Sequence, residues 1–165
     1  MIILGIDPGL TKSGWAVINI ANQNITFIDC GTIYSTPEEK MPQRLHHFHL
    51  QFTQIFNNFK PQEIAIEETF VNKNPLSSLK LGYIRGAIML TTAIANVPLF
   101  EYSTTAVKKA ITGAGRADKL QIQKMLQLLV PKAKPTSEDS ADALAIAICH
   151  QYHRGLNNII SKIKL

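Results

Sequence analysis

Four acidic residues have surroundings that suit them to chemistry rather than to solvation: Asp7, Glu67, Asp139 and Asp142. Asp7 closes the apolar run Met1 to Ile6 and is followed by Pro8-Gly9, and Glu67 closes Ile64-Ala65-Ile66. Each acid therefore stands at the end of a buried strand, where ligand sites of open α/β sheets collect. Asp139 and Asp142 are three apart in a helical stretch, so they share one face with Cβ atoms roughly 5 to 6 Å apart. Gathering such carboxylates without cations is costly, because like charges in a partly desolvated site repel and raise one another's pKa. Divalent magnesium or manganese resolves that conflict. Oxygen-only ligands favour those hard ions, and a pair of them about 4 Å apart stabilises the attacking and leaving oxygens of a phosphoryl displacement.

Plainer roles compete. Asp7 beside Pro-Gly reads equally well as a turn residue. Glu138 and Asp139 would complement the dipole of a first helical turn without any metal. Asp142 resists that reading, because Ala141, Ala143, Leu144, Ala145 and Ile146 surround it with core-like residues.

The elements that position these acids follow from periodicity. Met1 to Ile6, Gly14 to Ile20 and Asn24 to Tyr34 read as strands of an antiparallel meander. Leu45, Phe48, Phe52, Ile55, Phe56 and Phe59 recur at helical spacing between Pro42 and Phe59, and Pro61 ends that helix. A short strand at Ile64 to Ile66, a helix from Leu76 to Asn96 and a strand from Pro98 to Tyr102 come next. Ser103 or Thr104 caps a helix stopped by Gly113; Asp118 caps another that ends before Pro131. Thr136 or Ser137 caps the last helix, expected to reach about His153, with a basic tail over 154–165. The order implies one α/β domain over 1–153, a mixed sheet with helices on its faces.

Composition sets the outer limits. The chain has 165 residues, enough for one sizeable core. Lysine and arginine exceed aspartate and glutamate by 17 − 12 = 5, and the pI is near 9.3, which favours polyanionic partners. Cys30 and Cys149 lack disulfide or zinc spacing and read as core thiols. No apolar run reaches the roughly 18 residues of a membrane span, and the first residues lack a secretory n-region. A soluble, cytoplasmic protein is expected.

The ordered set Ile3-Leu4-Gly5-Ile6-Asp7-Pro8-Gly9, Ala65-Ile66-Glu67 and Asp139-Ser140-Ala141-Asp142-Ala143-Leu144-Ala145-Ile146-Ala147 resembles the RuvC family of Holliday junction resolvases. Lys73-Asn74, Leu79-Lys80-Leu81-Gly82, Arg85-Gly86, Phe100-Glu101-Tyr102, Val107-Lys108 and Gly113-Ala114-Gly115 resemble its pattern in order and spacing, so the likeness spans nearly the whole chain. The resemblance implies a ribonuclease-H-like five-stranded mixed sheet and a homodimer. It also implies branch-migration partners RuvA and RuvB, and symmetric magnesium-dependent nicking of four-way DNA junctions at thymine-containing sites in recombination and repair. Asp7, Glu67, Asp139 and Asp142 match the four acids of the family, expected to hold two Mg2+ ions, with Mn2+ able to substitute. Glu68 departs from the pattern, and the chain is short at its C-terminal end.

Lys108, Lys109, Arg116 and Lys119 flank the Gly113-Ala114-Gly115 loop, where amides and cations can approach phosphates together. Lys108 and Lys119 match basic positions of the family; a solvated helix face is the alternative for any one of them. Phe70, with Lys73 close by, matches a family position from which an aromatic ring can stack on an unpaired base; core packing, the usual fate of a phenylalanine, is the alternative. His46, His47 and His49 are expected on a helix surface, away from the chemistry. The Leu76 to Asn96 helix is apolar nearly all round after Gly86. One face can cover the sheet and the other a two-fold partner, or both can be covered within one chain. Rival functions are an actin-like kinase or ATPase, a ribonuclease-H-like nuclease of other substrate preference, and a non-catalytic junction-binding protein. The first is usually much longer, and retention of four carboxylates argues against the last.

Overall fold

A computed structural model describes residues 1–68 and 74–163, the last nine of these by their backbone path alone. Strands β1 (Ile2–Asp7), β2 (Lys12–Ala21) and β3 (Asn24–Tyr34) form the expected meander, followed by α1 (Met41–Phe59), β4 (Glu63–Glu67), α2 (Pro75–Ile94) and β5 (Leu99–Tyr102). Three helices complete the chain: α3 (Thr104–Thr112), α4 (Lys119–Leu129) and α5 (Glu138–Ile163). The sheet order is β3-β2-β1-β4-β5, antiparallel through the meander and parallel where β1 meets β4 and β4 meets β5.

β1 is central and apolar on both sides, and its alternation divides the core in two. Leu4 and Ile6 join Val17, Ile64 and Ile66 under α1 and α2, against Phe48, Phe52, Ile84 and Ile88. Ile3 joins Ala16, Ile18 and Ala65 on the opposite face, against α5 and the α3–α4 pair. Both cysteines are buried free thiols, as their spacing implies.

Local signals end the helices where the sequence places them. Ser103 accepts from the Ala106 amide, Gly113 closes α3 with φ of 78°, and Asp118 and Gln121 form a reciprocal capping box on α4. Ser137 Oγ accepts from the Ser140 amide at 3.0 Å, the cap expected for α5. The far end of α5 differs from expectation. Its backbone stays helical to Ile163 rather than stopping near His153, so the basic segment 154–165 begins inside the helix.

α5 lies unusually close to the sheet. A Cβ on Gly5 would stand 2.1 Å from the Ala143 carbonyl oxygen, and one on Gly14 would stand 1.9 Å from that of Asp139. Only glycine at these two positions lets the helix backbone descend onto β1 and β2.

Candidate active site

The site is built from strand ends and the first turns of α5. Ile6 pairs in parallel with Ile66, which leaves Asp7 and Glu67 side by side at the carboxyl ends of β1 and β4. Across the antiparallel ladder Asp7 pairs with Gly14, the residue on which the Asp139 backbone rests. Asp142 follows one turn later, beside the Ala143–Gly5 contact. The four acids named from sequence therefore converge on one end of the sheet.

Their mutual field is visible at Asp7. Burial, then the charges of Glu67, Asp142 and Asp139, push its carboxyl up to about 8, and a hydrogen bond with Glu67 adds to the shift. Burial also raises Asp142, opposed by Lys119 and reinforced by Glu67, Asp139 and Glu138. Among the described residues no three His, Cys, Asp or Glu side chains are drawn tightly enough to grip an ion as they stand. Asp7 and Glu67 are within hydrogen-bond reach of each other, and the α5 acids act on Asp7 through their charge. The donor set nevertheless suits a hard divalent cation: it is all oxygen, partly desolvated and self-repelling. Glu68 continues the ladder by donating its amide to the Tyr102 carbonyl at 2.9 Å, and it is not among the charges acting on Asp7.

Lys119 reaches the rim of this cluster. Its ammonium lies 2.9 Å from Glu138 Oε2, with both side chains 69% exposed. Glu138, then the more distant Asp142 and Asp139, raise its pKa. Lys119 in turn is the main cause that lowers Glu138, with a smaller contribution from Lys12. Lys108 on α3 is half-buried, while Lys109 and Arg116 are exposed, and these three have no carboxylate partner among the described residues. Phe70 and Lys73 lie outside the described residues. The histidines of α1 are away from the acids, as expected: His46 is exposed, His47 bonds the Tyr34 carbonyl and His49 bonds Thr91 Oγ1, each at 2.9 Å.

Three features escaped the sequence reading. Gly14 is needed for the approach of Asp139, yet nothing local marks it. Arg44 is buried within the apolar stripe of α1, bonded to the Leu10 carbonyl and Ser35; a charge in that stripe was the available signal. His150 on α5 links Tyr102 Oη, 2.7 Å from Nδ1, with Glu63 Oε2, 2.8 Å from Nε2, and Arg154 also donates to Glu63. Burial lowers the His150 pKa against the pull of Glu63, and burial first pushes Tyr102 up to about 12. The pair is thus a hydrogen bond from a neutral imidazole, Nε2–H donating to Glu63 and Nδ1 accepting from Tyr102.

The family model for the crossover junction endodeoxyribonuclease RuvC matches residues 3–150. The chain belongs to the RuvC family. The RuvC of Xanthobacter autotrophicus is 48% identical over 153 residues, covering 93% of this chain and 90% of that protein. The RuvC of Nitrobacter hamburgensis is 46% identical over 161 residues, covering 98% and 95%. Among solved structures, Thermus thermophilus RuvC in complex with a Holliday junction substrate superposes with a TM-score of 0.89 at 28% identity, over 95% of this chain and 96% of that one. A second Thermus thermophilus RuvC structure gives a TM-score of 0.87 at 28% identity, over 95% of this chain and 97% of that one. The mixed sheet described above is thus the ribonuclease-H-like fold of the RuvC family.

Proposed function

We propose that this chain resolves Holliday junctions, making paired symmetric nicks in four-way DNA during recombination and repair. The observation that carries the reading is the convergence of Asp7, Glu67, Asp139 and Asp142, whose charges add to burial in pushing Asp7 up to about 8. Those four side chains would hold two magnesium ions, with manganese able to substitute. When bound, such ions supply an acidified water and neutralise charge on the leaving 3′-oxygen. The chain's own contribution is placement. Asp7 stands between Glu67 on one side and the α5 acids on the other, so it is the residue suited to both ions. In-line displacement at phosphorus leaves a nick with a 5′-phosphate.

Lys108, Lys109, Arg116 and Lys119 are assigned to the phosphate backbone. Phe70 and Lys73 are assigned to the opened junction on the strength of the family likeness. Pairing of the nicks is assigned to a homodimer through α2. Its inner face buries Ile84 and Ile88. On its outer face Leu79 (53%), Tyr83 (47%), Leu90 (61%) and Ile94 (68%) are exposed at helical spacing. A contiguous apolar stripe of this kind is the usual mark of an interface. Among the described residues no helix is long and apolar enough to cross a membrane; a cytoplasmic enzyme working with RuvA and RuvB is the reading adopted.

The test is incubation of purified protein with four-way junction, duplex and single-stranded DNA, with and without magnesium. Coincident cuts in the junction alone, only with metal, are expected. Cleavage of single strands or hybrids instead would favour a nuclease of different substrate preference. Binding without cleavage under every metal condition would favour a junction-binding protein.

A further inference from the structure

Arg44 is a buried cation, only 6% exposed, and no carboxylate among the described residues pairs with it. Its guanidinium Nη2 donates to the Leu10 carbonyl and, at 3.1 Å, to Ser35 Oγ, and Nε donates to that same hydroxyl at 3.3 Å. Ser35 Oγ donates onward to the Leu10 carbonyl at 2.9 Å, and the Ser35 amide donates to the Thr11 carbonyl at 2.9 Å. On the other side of the turn the Gly9 amide donates to Ser13 Oγ at 3.1 Å. A Cβ on Gly9 would stand 1.9 Å from the Lys12 carbonyl oxygen. All these bonds converge on the few residues that follow Asp7.

Burying a guanidinium is expensive, and stability alone is usually served as well by a well-packed apolar residue. The stripe of α1 around it supplies such residues, with Leu45, Phe48 and Phe52 neighbouring position 44. Arginine does something those cannot: its planar fork reaches a carbonyl and a hydroxyl together, a geometry that lysine does not reproduce. The charges acting on Asp7 are those of Glu67, Asp142 and Asp139. Arg44 is not among them, so an influence of Arg44 on that acid has to run through the backbone.

We propose that Arg44 is a positioning residue: by holding the Leu10 carbonyl it fixes the turn after Asp7 and so aims the Asp7 carboxylate for a divalent cation. The inference rests on the metal-dependent reading above. Groups that orient ligands in this way commonly change metal affinity by tenfold or more when removed.

The test uses the full chain carrying Arg44→Gln, Arg44→Lys or, as a control on the same helix, Phe56→Leu. Two quantities are read: Mn2+ affinity by electron paramagnetic resonance, and amide hydrogen exchange at Gly9, Leu10 and Thr11. Both Arg44 variants should weaken Mn2+ binding on the order of tenfold, with faster exchange in the turn and metal-free junction affinity unchanged. Phe56→Leu should lower the melting temperature without moving either readout. Should Arg44→Gln fail to fold, Ser35→Ala removes the hydroxyl while leaving the arginine, and a smaller shift of the same sign is expected. Unchanged exchange in the turn would overturn the clamp. Faster exchange with unchanged Mn2+ affinity would overturn its positioning role, as would a loss of metal affinity in Phe56→Leu matching that in Arg44→Gln. A wild-type chain that took up no Mn2+ would count against the proposed function, and the exchange rates would still decide the clamp.

Discussion

In the metal-free protein Asp7 keeps its proton up to about pH 8, so cation uptake has to displace it. Binding of Mg2+ or Mn2+ near pH 7 should release about one proton, and near pH 9.5 almost none. Calorimetry in buffers of different ionisation enthalpy measures this directly. The linkage has a definite sign. Because the folded pKa is raised from 3.8 to about 8, the protonated group contributes stability that is fully present below the unfolded value and lost as pH rises through about 8. Metal-free wild-type protein should therefore lose stability between about pH 5 and 8 relative to Asp7→Asn. That same variant, which removes a carboxylate proposed to hold metal, should bind junctions normally yet fail to nick them; near-normal cleavage would overturn the site assignment. Outside the acids, Lys108→Ala should weaken junction affinity and flatten its salt dependence by about one counterion. Lys119 behaves differently, because its ammonium has to leave Glu138 to reach a phosphate. Glu138→Gln should tighten junction binding, by up to about fivefold at low salt, the range expected on freeing one exposed pair. Weaker binding by that variant would show that Lys119 does not contact DNA.

The close seat of α5 on the sheet is what brings Asp139 and Asp142 to Asp7. Gly14→Ala forces a methyl into the Asp139 backbone, so the helix or the strand has to move. Overpacking of this kind costs about 1–3 kcal/mol, and metal affinity and nicking should fall with the melting temperature. An active Gly14→Ala protein of wild-type stability would show that the contact is dispensable. This is also where the sequence was least readable. Apolar periodicity and caps located the strands and helices, and the strand-end position of Asp7 and Glu67 followed from two short apolar runs. Gly14 gave no signal, because the atom that needs its missing Cβ belongs to a residue 125 positions away, as 139 − 14. Nor did the end of α5, where a polar, basic stretch carries no apolar periodicity to extend. The His150 network was hidden for a similar reason: its partners Tyr102 and Glu63 come from two other elements. Burial lowers the His150 pKa, so below about pH 6.5 the unfolded chain takes a proton that the folded one refuses. That contribution to stability is present above pH 6.5 and is lost as pH falls through the lowered value. An Asp7→Asn background separates it from the opposite slope of Asp7.

Two coincident cuts need two active sites, and a single chain carries one set of acids. α2 offers the surface that would join two chains. Gly82 and Gly86 have open space where a side chain would stand, and Ala93, Leu90 and Ile94 are exposed nearby. Gly86→Glu therefore adds a carboxylate that a lone chain can keep in water, with no clash inside the monomer. In a dimer packed through this face the same carboxylate would be buried without a partner, at a cost on the order of several kcal/mol. Such a cost dissociates a moderate dimer. Gly86→Glu and Ala93→Glu should each sediment as folded monomers, with circular dichroism and melting temperature near those of the wild type. Metal uptake should survive, since the acids all lie within one chain. Slow single nicks can persist, but linear products from coincident cuts should vanish, because a monomer cannot present two sites across the two-fold axis of a junction. A monomeric, folded Gly86→Glu protein that still made paired cuts would remove α2 from the assembly and leave its apolar outer face without a role in resolution.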